Sequence, residues 1–447
     1  MATGTGSGMT GQGQDGPTPD LREVLARELE TARQRTLGLL DPLSEEAQLA
    51  QHSSLVSPVV WDLAHVGNYE ELWLLRVLTG VSPIAPEYDD VYDAFRHARK
   101  ERGRLRLLSP TEARTYIRGV RGQVLDRLGT AELDPRNRLE TDGFIYGMVI
   151  QHEHQHDETI LATLQLWGHE YHLEEEPAPL GKVLTPREVR VEGGPFVMGT
   201  STEPWAYDNE RPAHVVELDP FWIDAALVTN REYLEFIEDG GYHEASWWSE
   251  AGWAWRVEGA LEHPRFWLRE GPSSWSRVRF GRREPLPAHE PVQHVCWYEA
   301  QAYARFRGKR LPTEAEWEKA ASWNPVAGSK RRHPWGDSTP GPALANLGQR
   351  RFGPAPVGAF PAGVSAWGCH QMLGDVWEWT ASDFQPYPGY AAFPYREYSE
   401  VFFGDNYKVL RGGSWATHPT AIRTTFRNWD FPIRRHIFCG FRLARDA

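Results

Sequence analysis

The sequence predicts an α + (α+β) protein, in which an N-terminal four-helix bundle precedes an irregular α+β domain. Apolar residues recur at helical spacing from Leu21 to about Gly168. A segment with several prolines, Glu174–Glu188, then interrupts this pattern. Because 447 residues exceed one ordinary core, two domains are expected. The predicted divisions are a disordered tail at 1–19, the bundle at 20–173, a linker at 174–188 and the second domain at 189–447.

Four helices are predicted in the first domain. The first begins at Leu21, and the second runs from Ser57 to Leu75. The third covers Thr111 to Leu128, and the fourth extends from about Asp142 to Trp167. Pro58 lies near the first turn of the second helix, and Gly168 ends the fourth. The core of such a bundle is a common place for a metal site.

The second domain combines short β-like runs with helices among many Gly, Pro and Trp residues. The β-like runs are Val189–Val191, His214–Leu218 and Val409–Arg411. The predicted helices are Asn230–Asp239, Trp297–Arg307 and Thr313–Trp323. No internal repeat is found in the sequence.

Composition narrows the possible partners and the compartment. The formal charge of −13 disfavours nucleic acid or an anionic membrane as a partner. No apolar run approaches the roughly 20 residues that span a bilayer. The tail has no apolar segment of the kind found in signal peptides. Three widely separated cysteines, Cys296, Cys369 and Cys439, predict reduced core thiols and a cytoplasmic protein.

Three histidines and three acids fall within the seven residues His152–Glu158. On a helix, His152 and His156 share a face, so two neutral imidazoles can bind one divalent transition metal without bending the backbone. His154 and Glu158 lie about 200° and 240° around the helix from His152. Neither is therefore expected to bind metal on that face, and Glu158 is expected to support a ligand or to contact another helix.

A third ligand has to come from another helix, and His65 is the candidate. It lies in Trp61–Gly67, inside an otherwise apolar amphipathic stretch. A lone core histidine is more often structural than metal-binding, but the paired histidines on a partner helix reverse that expectation. Gln155 flanks the pair and is placed to reach a metal-bound substrate.

A rival interpretation is a zinc hydrolase. The segment His152–His156 satisfies H-E-x-x-H, which would make Glu153 the general base. The extended metzincin pattern fails, because Thr159 and Ala162 occupy the positions of its Gly and His. A third ligand from Glu174–Glu176 would have to come from the proline-bounded linker. The zinc hydrolase is therefore the remoter alternative.

Two sets of motifs carry a family resemblance. His152, His156 and Glu158, with Trp61–His65, resemble the DinB-like domain of the sulfoxide synthases of ergothioneine biosynthesis. Four segments resemble the formylglycine-generating-enzyme fold, a C-type-lectin-like variant: Gly193–Gly199, Arg310–Glu318, Gly374–Trp379 and Arg411–Trp415. The order of the two domains is similar to that of the hercynine oxygenase family. The formylglycine-generating oxidase itself uses a close C-terminal cysteine pair, whereas this chain has only Cys439 there.

The resemblance implies which residues form the site. The implied iron(II) ligands are His65, His152 and His156. Within the family, the motif of the branch that uses γ-glutamylcysteine as its thiol substrate is matched at Arg99, Arg102, Asn428, Trp429, Asp430 and Arg434. The implied catalytic tyrosine is Tyr395, with its neighbours Tyr387, Tyr390 and Tyr398 as alternatives. A site built from these residues would lie between the two domains, where such pockets are common.

The resemblance also implies the reaction, an O₂-dependent coupling of hercynine with γ-glutamylcysteine to γ-glutamyl-hercynylcysteine S-oxide. Forming the C–S bond removes two electrons, and oxidising the thioether to a sulfoxide removes two more. One dioxygen accepts all four, so no external reductant is needed. The ligands alone do not distinguish iron from zinc, so the identity of the metal rests on the resemblance.

The implied residues match the chemistry of the two substrates. Arg99, Arg102 and Arg434 suit the two carboxylates of γ-glutamylcysteine, and Asp430 suits its amino group. The remaining assignments are Trp429 for the trimethylammonium of hercynine, Asn428 and Gln155 for its carboxylate or imidazole, and Tyr395 as the donor of a proton or hydrogen atom. A related synthase that uses free cysteine, or histidine in place of hercynine, is the nearer alternative.

Overall fold

The computed structural model describes residues 20–171, 175–179, 184–272 and 274–447, so the predicted tail lies outside the described residues. The helices of the first half are α1 (Leu21–Leu40), α2 (Glu45–Leu49), α3 (Val59–Glu70), α4 (Glu87–Tyr92), α5 (Pro110–Leu128) and α6 (Phe144–Trp167). Those of the second half are α7 (Asn230–Glu238), α8 (Glu250–Glu258), α9 (Trp297–Phe306) and α10 (Glu314–Ser322).

The four long helices of the first half correspond to the predicted bundle. α3 begins directly after Pro58 and continues into a π-helical segment, Glu71–Val77. α5 begins with a reciprocal cap between Ser109 and Glu112. α6 ends at Gly168, whose φ of 74° is the left-handed conformation that glycine adopts readily. The short helices α2 and α4 were not predicted, because five or six residues give too little periodicity.

The second half contains several small sheets. Its strands are β1 (Glu188–Val191), β2 (Gly194–Met198), β3 (His214–Leu218), β4 (Phe221–Asp224), β5 (Trp267–Gly271), β6 (Ser274–Arg279), β7 (Arg282–Pro285), β8 (Trp323–Asn324), β9 (Ser329–Lys330), β10 (Trp377–Phe384), β11 (Gly404–Arg411), β12 (Asn428–Asp430), β13 (Cys439–Gly440) and β14 (Ala444–Asp446). The largest sheet has the order β12-β11-β10-β13, and a second has the order β1-β4-β14.

The predicted fold class, a helical bundle followed by a mixed α+β domain, is confirmed. In the second domain, α7, α9 and α10 match the three predicted helices closely, while α8 was not predicted. Strand β12 pairs with β11 antiparallel, which places Asn428–Asp430 at the edge of the largest sheet. The predicted linker lies partly outside the described residues, and the exact domain boundaries stay a prediction.

Buried ion pairs hold the bundle together around α6. Glu153 accepts from Arg33 Nε at 2.7 Å and from Arg121 Nη2 at 3.1 Å. Glu70 of α3 pairs with the same two arginines, at 2.7 Å from Arg33 and 2.6 Å from Arg121. Burial opposes the charged form of Arg121, but Glu70 and Glu153 together raise its pKa. The four charges therefore neutralise one another in the core.

Glu158 joins α6 to the second domain. Its Oε1 accepts from Trp377 Nε1 and from Ser414 Oγ, each at 2.7 Å, and its Oε2 accepts from Thr417 Oγ1 at 2.9 Å. Burial raises the pKa of this carboxyl group. Glu158 was expected to support a ligand or to contact another helix, but its hydrogen bonds go instead to strand β10 and to the loop after β11.

Two further expectations concern the membrane and the cysteines. Among the helices that the structure describes, none is long and apolar enough to cross a bilayer. Cys296, Cys369 and Cys439 are buried free thiols. Burial raises the pKa of all three, which keeps them protonated.

We expect the substitution Arg121→Met to lower the free energy of unfolding of the bundle by about 3 kcal/mol, because two buried carboxylates lose a partner. Arg136→Met, which removes an exposed pair with Asp134, should leave the free energy of unfolding nearly unchanged. Urea unfolding followed by far-ultraviolet circular dichroism measures both variants. Equal unfolding midpoints would show that the buried network contributes no more than a surface pair.

Candidate metal centre and substrate cavity

The structure brings His65, His152 and His156 together. One nitrogen from each lies within 4.8 Å of those from the other two. The Nε2 atoms of His65 and His152 are 3.3 Å apart. His65 comes from α3, whereas the other two come from α6 and lie one helical turn apart. The geometry therefore makes these three residues a candidate metal centre, and their role as ligands stays a prediction.

Hydrogen bonds orient two of the imidazoles. His65 Nδ1 lies 2.7 Å from the carbonyl oxygen of Tyr92, which can only accept, so this nitrogen donates. His156 Nδ1 lies 2.9 Å from Asp62 Oδ1 in the same way. Each ring consequently presents the lone pair of Nε2 to the centre, as in the carboxylate–histidine pairs of metal sites.

The third imidazole, His152, is held by stacking. Its ring lies nearly parallel to that of Tyr69, with the ring centres 3.8 Å apart. Its Nδ1 is buried and has no hydrogen-bond partner among the described residues. Burial lowers the pKa of His65 and His152 well below the usual value, and the nearby His156 lowers both further. Both rings are therefore neutral at ordinary pH and available as ligands.

A divalent transition metal fits this donor set. Three imidazole ligands suit iron, zinc, copper or nickel, whereas magnesium and calcium prefer oxygen ligands. With a cation bound, the Nε2 atoms of His65 and His152, which lie 3.3 Å apart, would both direct lone pairs at it; without one, a proton on one Nε2 would have to bridge them. The residues that would hold the metal are His65, His152 and His156.

A cavity of about 1060 Å³ opens beside the three histidines, between the two domains. The bundle lines one wall, and β12 with its neighbouring loops lines the other. All the residues predicted from the sequence line this cavity: Arg99, Arg102, Gln155, Tyr395, Asn428, Trp429, Asp430 and Arg434. The structure thus brings every predicted site residue to one pocket, and their individual roles stay predictions.

The two arginines of the bundle differ in their surroundings. Arg99 is exposed at the start of a 3₁₀ turn, Arg99–Arg104. Arg102 is buried, and its guanidinium lies 3.7 Å from the ring centre of Trp61. It donates to two backbone carbonyls and to Ser57 Oγ at 2.8 to 3.1 Å. Arg102 therefore holds this turn against α3, which leaves fewer donors for a ligand than Arg99 has.

The wall formed by the second domain carries paired charges and an amide. Arg434 Nε lies 3.3 Å from Asp430 Oδ1. Burial raises the pKa of Asp430, although Arg434 works in the opposite direction. Asn428 uses its side-chain oxygen to accept from the backbone N–H of Trp429 at 2.8 Å. One face of Trp429 stacks on Phe384, with the ring centres 4.1 Å apart.

Two of the four candidate tyrosines reach the cavity, Tyr395 and Tyr398. The hydroxyl of Tyr395 lies 3.0 Å from that of Tyr69. Tyr387 is instead buried under the guanidinium of Arg427, and Tyr390 donates to Asp208 at 2.8 Å. Burial raises the pKa of Tyr395 and Tyr398 above the usual value, so both phenols stay protonated.

The H-E-x-x-H interpretation finds no support in the geometry. Glu153 is buried and its carboxylate is bonded to Arg33 and Arg121 on the side of α6 away from the cavity. A carboxylate held in this way has no access to a metal-bound water. His154 also points away from the centre and stacks on His418 of the second domain, with the ring centres 3.8 Å apart.

Three residues of the site were missed in the sequence: Asp62, Tyr69 and Trp73. Asp62 precedes His65 by three positions and Tyr69 follows it by four, so both share its helical face. That spacing was available as a signal. Trp73 lies in the π-helical segment after α3, where ordinary helical periodicity no longer applies.

We expect Asp62→Asn to weaken metal binding by about tenfold to a hundredfold, because the orienting acceptor of His156 loses its charge. Competition between the protein and a coloured chelator for ferrous or cobaltous ion measures the change. Asp126→Asn, an exposed residue of α5, is the matched control and should leave the affinity unchanged. Equal affinities in the two variants would remove Asp62 from the metal centre.

Comparison with known proteins identifies the family. Residues 28–160 match the DinB superfamily, and residues 174–447 match the sulfatase-modifying factor enzyme 1-like domain. Hercynine oxygenase of Mycolicibacterium smegmatis is 52% identical, with 95% of this chain and 99% of that protein covered. The Mycobacterium tuberculosis protein of the same name is 50% identical, again with 95% of this chain and 99% of that protein covered. Formylglycine-generating enzyme of Streptomyces coelicolor is 35% identical, with 61% of this chain and 93% of that protein covered. The chain therefore belongs to the hercynine oxygenase family and is an oxidoreductase.

Proposed function

We propose that this protein is an iron(II)- and O₂-dependent enzyme that couples hercynine with γ-glutamylcysteine in ergothioneine biosynthesis. The proposed product is γ-glutamyl-hercynylcysteine S-oxide. The observation that carries the proposal is the shared cavity: three convergent imidazoles lie on the bundle wall, and Asn428–Asp430 with Arg434 line the opposite wall. Family membership supports the same reaction class.

The cationic groups of the cavity suit a substrate with two carboxylates. Arg99 is exposed and has no ion-pair partner among the described residues, so it is available to an incoming carboxylate. Arg434 and Asp430 present a positive and a negative group side by side. This arrangement complements the carboxylate and ammonium of an amino-acid end. γ-Glutamylcysteine carries one such end and a second carboxylate.

The aromatic and amide groups of the cavity suit hercynine. A trimethylammonium group donates no strong hydrogen bond and is attracted to the faces of aromatic rings. Trp429, Tyr398 and Tyr69 supply such surfaces in the cavity. Asn428 and Gln155 keep amide groups that can bond to a carboxylate or to an imidazole nitrogen.

The reacting groups would meet beside the three histidines. A bound iron(II) would supply the site for the thiolate and for the reduction of dioxygen. Tyr395 is the proposed donor of a proton or hydrogen atom, since burial keeps its phenol protonated. The reaction forms one C–S bond and one S–O bond, releases one water, and transfers four electrons from the two substrates to one dioxygen.

The test of the function is anaerobic loading of the purified protein with ferrous ion, followed by oxygen, hercynine and one thiol. With γ-glutamylcysteine, mass spectrometry should detect the coupled sulfoxide and an oxygen electrode should record uptake that depends on the thiol. Parallel reactions with free cysteine, and with histidine in place of hercynine, should be at least about tenfold slower. Protein loaded with zinc is the control for a hydrolase and should form no sulfoxide. The absence of thiol-dependent oxygen uptake would refute the function, and faster turnover of cysteine would reassign the thiol.

We expect Arg99→Met to raise the KM for γ-glutamylcysteine by about tenfold or more, because a charge-assisted contact to a carboxylate is lost. The KM for hercynine should change by less than about twofold. Arg104→Met, at the exposed end of the same turn and away from the cavity lining, is the matched control. Steady-state oxygen uptake at varied thiol concentration measures both variants. A similar KM in the two variants would exclude Arg99 from thiol binding.

A further inference from the structure

Tyr69 lies between the candidate metal centre and the proposed catalytic tyrosine. It follows His65 by one turn of α3, so the helix that supplies one candidate ligand also sets the position of this ring. The ring is nearly parallel to His152, at an angle of 15° and with the ring centres 3.8 Å apart. Tyr69 is 8% exposed. The helical backbone and the stacking on His152 therefore leave the Tyr69 hydroxyl little freedom to move.

Tyr395 has fewer constraints within its own domain. It lies in the segment between β10 and β11, directly before a single 3₁₀ turn, Arg396–Tyr398. Its hydroxyl is bonded to the Tyr69 hydroxyl at 3.0 Å, and no other side-chain hydrogen bond to it is found among the described residues. Its ring stacks on Trp73 of the bundle, with the ring centres 5.2 Å apart. The hydrogen bond and the parallel stacking contact of Tyr395 thus both come from the opposite domain.

The neighbouring phenol does not offer the same support. The Tyr398 hydroxyl lies 3.5 Å from Gln155 Nε2, and its ring stacks on Tyr207 with the ring centres 4.2 Å apart. The rings of Tyr395 and Tyr398 meet edge to face, which leaves their hydroxyl groups without a mutual bond among the described contacts. The hydroxyl of Tyr69 is therefore the polar group that selects one orientation of the Tyr395 phenol.

We propose that Tyr69 is a positioning residue for Tyr395: its hydroxyl donates to the Tyr395 oxygen, which leaves the Tyr395 O–H to point toward the reacting atoms beside His152. The inference rests on the proposed function. Without this partner, the Tyr395 O–H can turn about its C–O bond and spend less time in the productive orientation. Tyr69 itself need not exchange a proton for this role.

A double-mutant cycle of Tyr69→Phe and Tyr395→Phe tests the coupling. Phenylalanine at 69 keeps the ring against His152, so metal affinity should stay within about twofold of the parent protein. We expect Tyr69→Phe to lower kcat for sulfoxide formation by about tenfold with little change in either KM, and to have less than about a twofold further effect when Tyr395 is already Phe. The matched control is Tyr116→Phe, which removes another buried hydroxyl of the bundle, one bonded to Glu71 away from the cavity.

A second measurement does not depend on turnover. With 3-fluorotyrosine at position 395, the fluorine resonance should shift or broaden in the Tyr69→Phe protein and stay unchanged in the Tyr116→Phe protein. An unchanged resonance in Tyr69→Phe would overturn the positioning role, and so would equal losses of kcat in both backgrounds of the cycle. If the parent protein forms no sulfoxide, the proposed function fails, and the fluorine spectra still decide whether Tyr69 orients Tyr395.

Discussion

The ion pairs that Glu153 forms with Arg33 and Arg121 fix how α6 is rotated about its axis, and the rest of the site depends on that rotation. Successive residues of a helix turn by about 100°, so a helix with Glu153 toward the bundle core directs His152 and His156 toward the cavity. The third side of α6 then faces the second domain, where Glu158 finds its three donors. One helix thus carries a core face, a metal face and a domain-interface face within seven residues.

A helix with three polar faces is stable only when each face has partners, because a buried polar group without them is costly. The core face is neutralised by the two arginines of the bundle. The interface face is completed only by the second domain, since the donors to Glu158 come from Trp377, Ser414 and Thr417. Docking of the two domains therefore satisfies the polar groups of α6 and forms the second wall of the cavity in the same step.

The sequence predicted the site where functional side chains recur at a fixed spacing. His152 and His156 could be paired from helical geometry, and the second domain could be predicted from its short motifs. Tyr395 was singled out among the four tyrosines between β10 and β11 only by resemblance, because this segment follows no period that predicts where a side chain points. Arg102 shows a different limit: its sequence position fits a ligand contact, but packing on Trp61 uses much of the side chain within the fold. Spacing does not encode such tertiary contacts.

Burial shifts the pKa values of the histidines and the tyrosines beside the cavity in opposite directions, and both shifts favour the uncharged form. It lowers the pKa of His65 and His152, which stay neutral and keep a lone pair for a cation. It raises the pKa of Tyr69, Tyr395 and Tyr398, which stay protonated and able to donate. A cation bound there would therefore have the uncharged nitrogens of His65 and His152 as ligands. The phenols beside it would be protonated and would carry no negative charge. Desolvation is thus part of the chemistry of the site, because burial keeps the imidazoles of His65 and His152 neutral and the phenols beside them protonated.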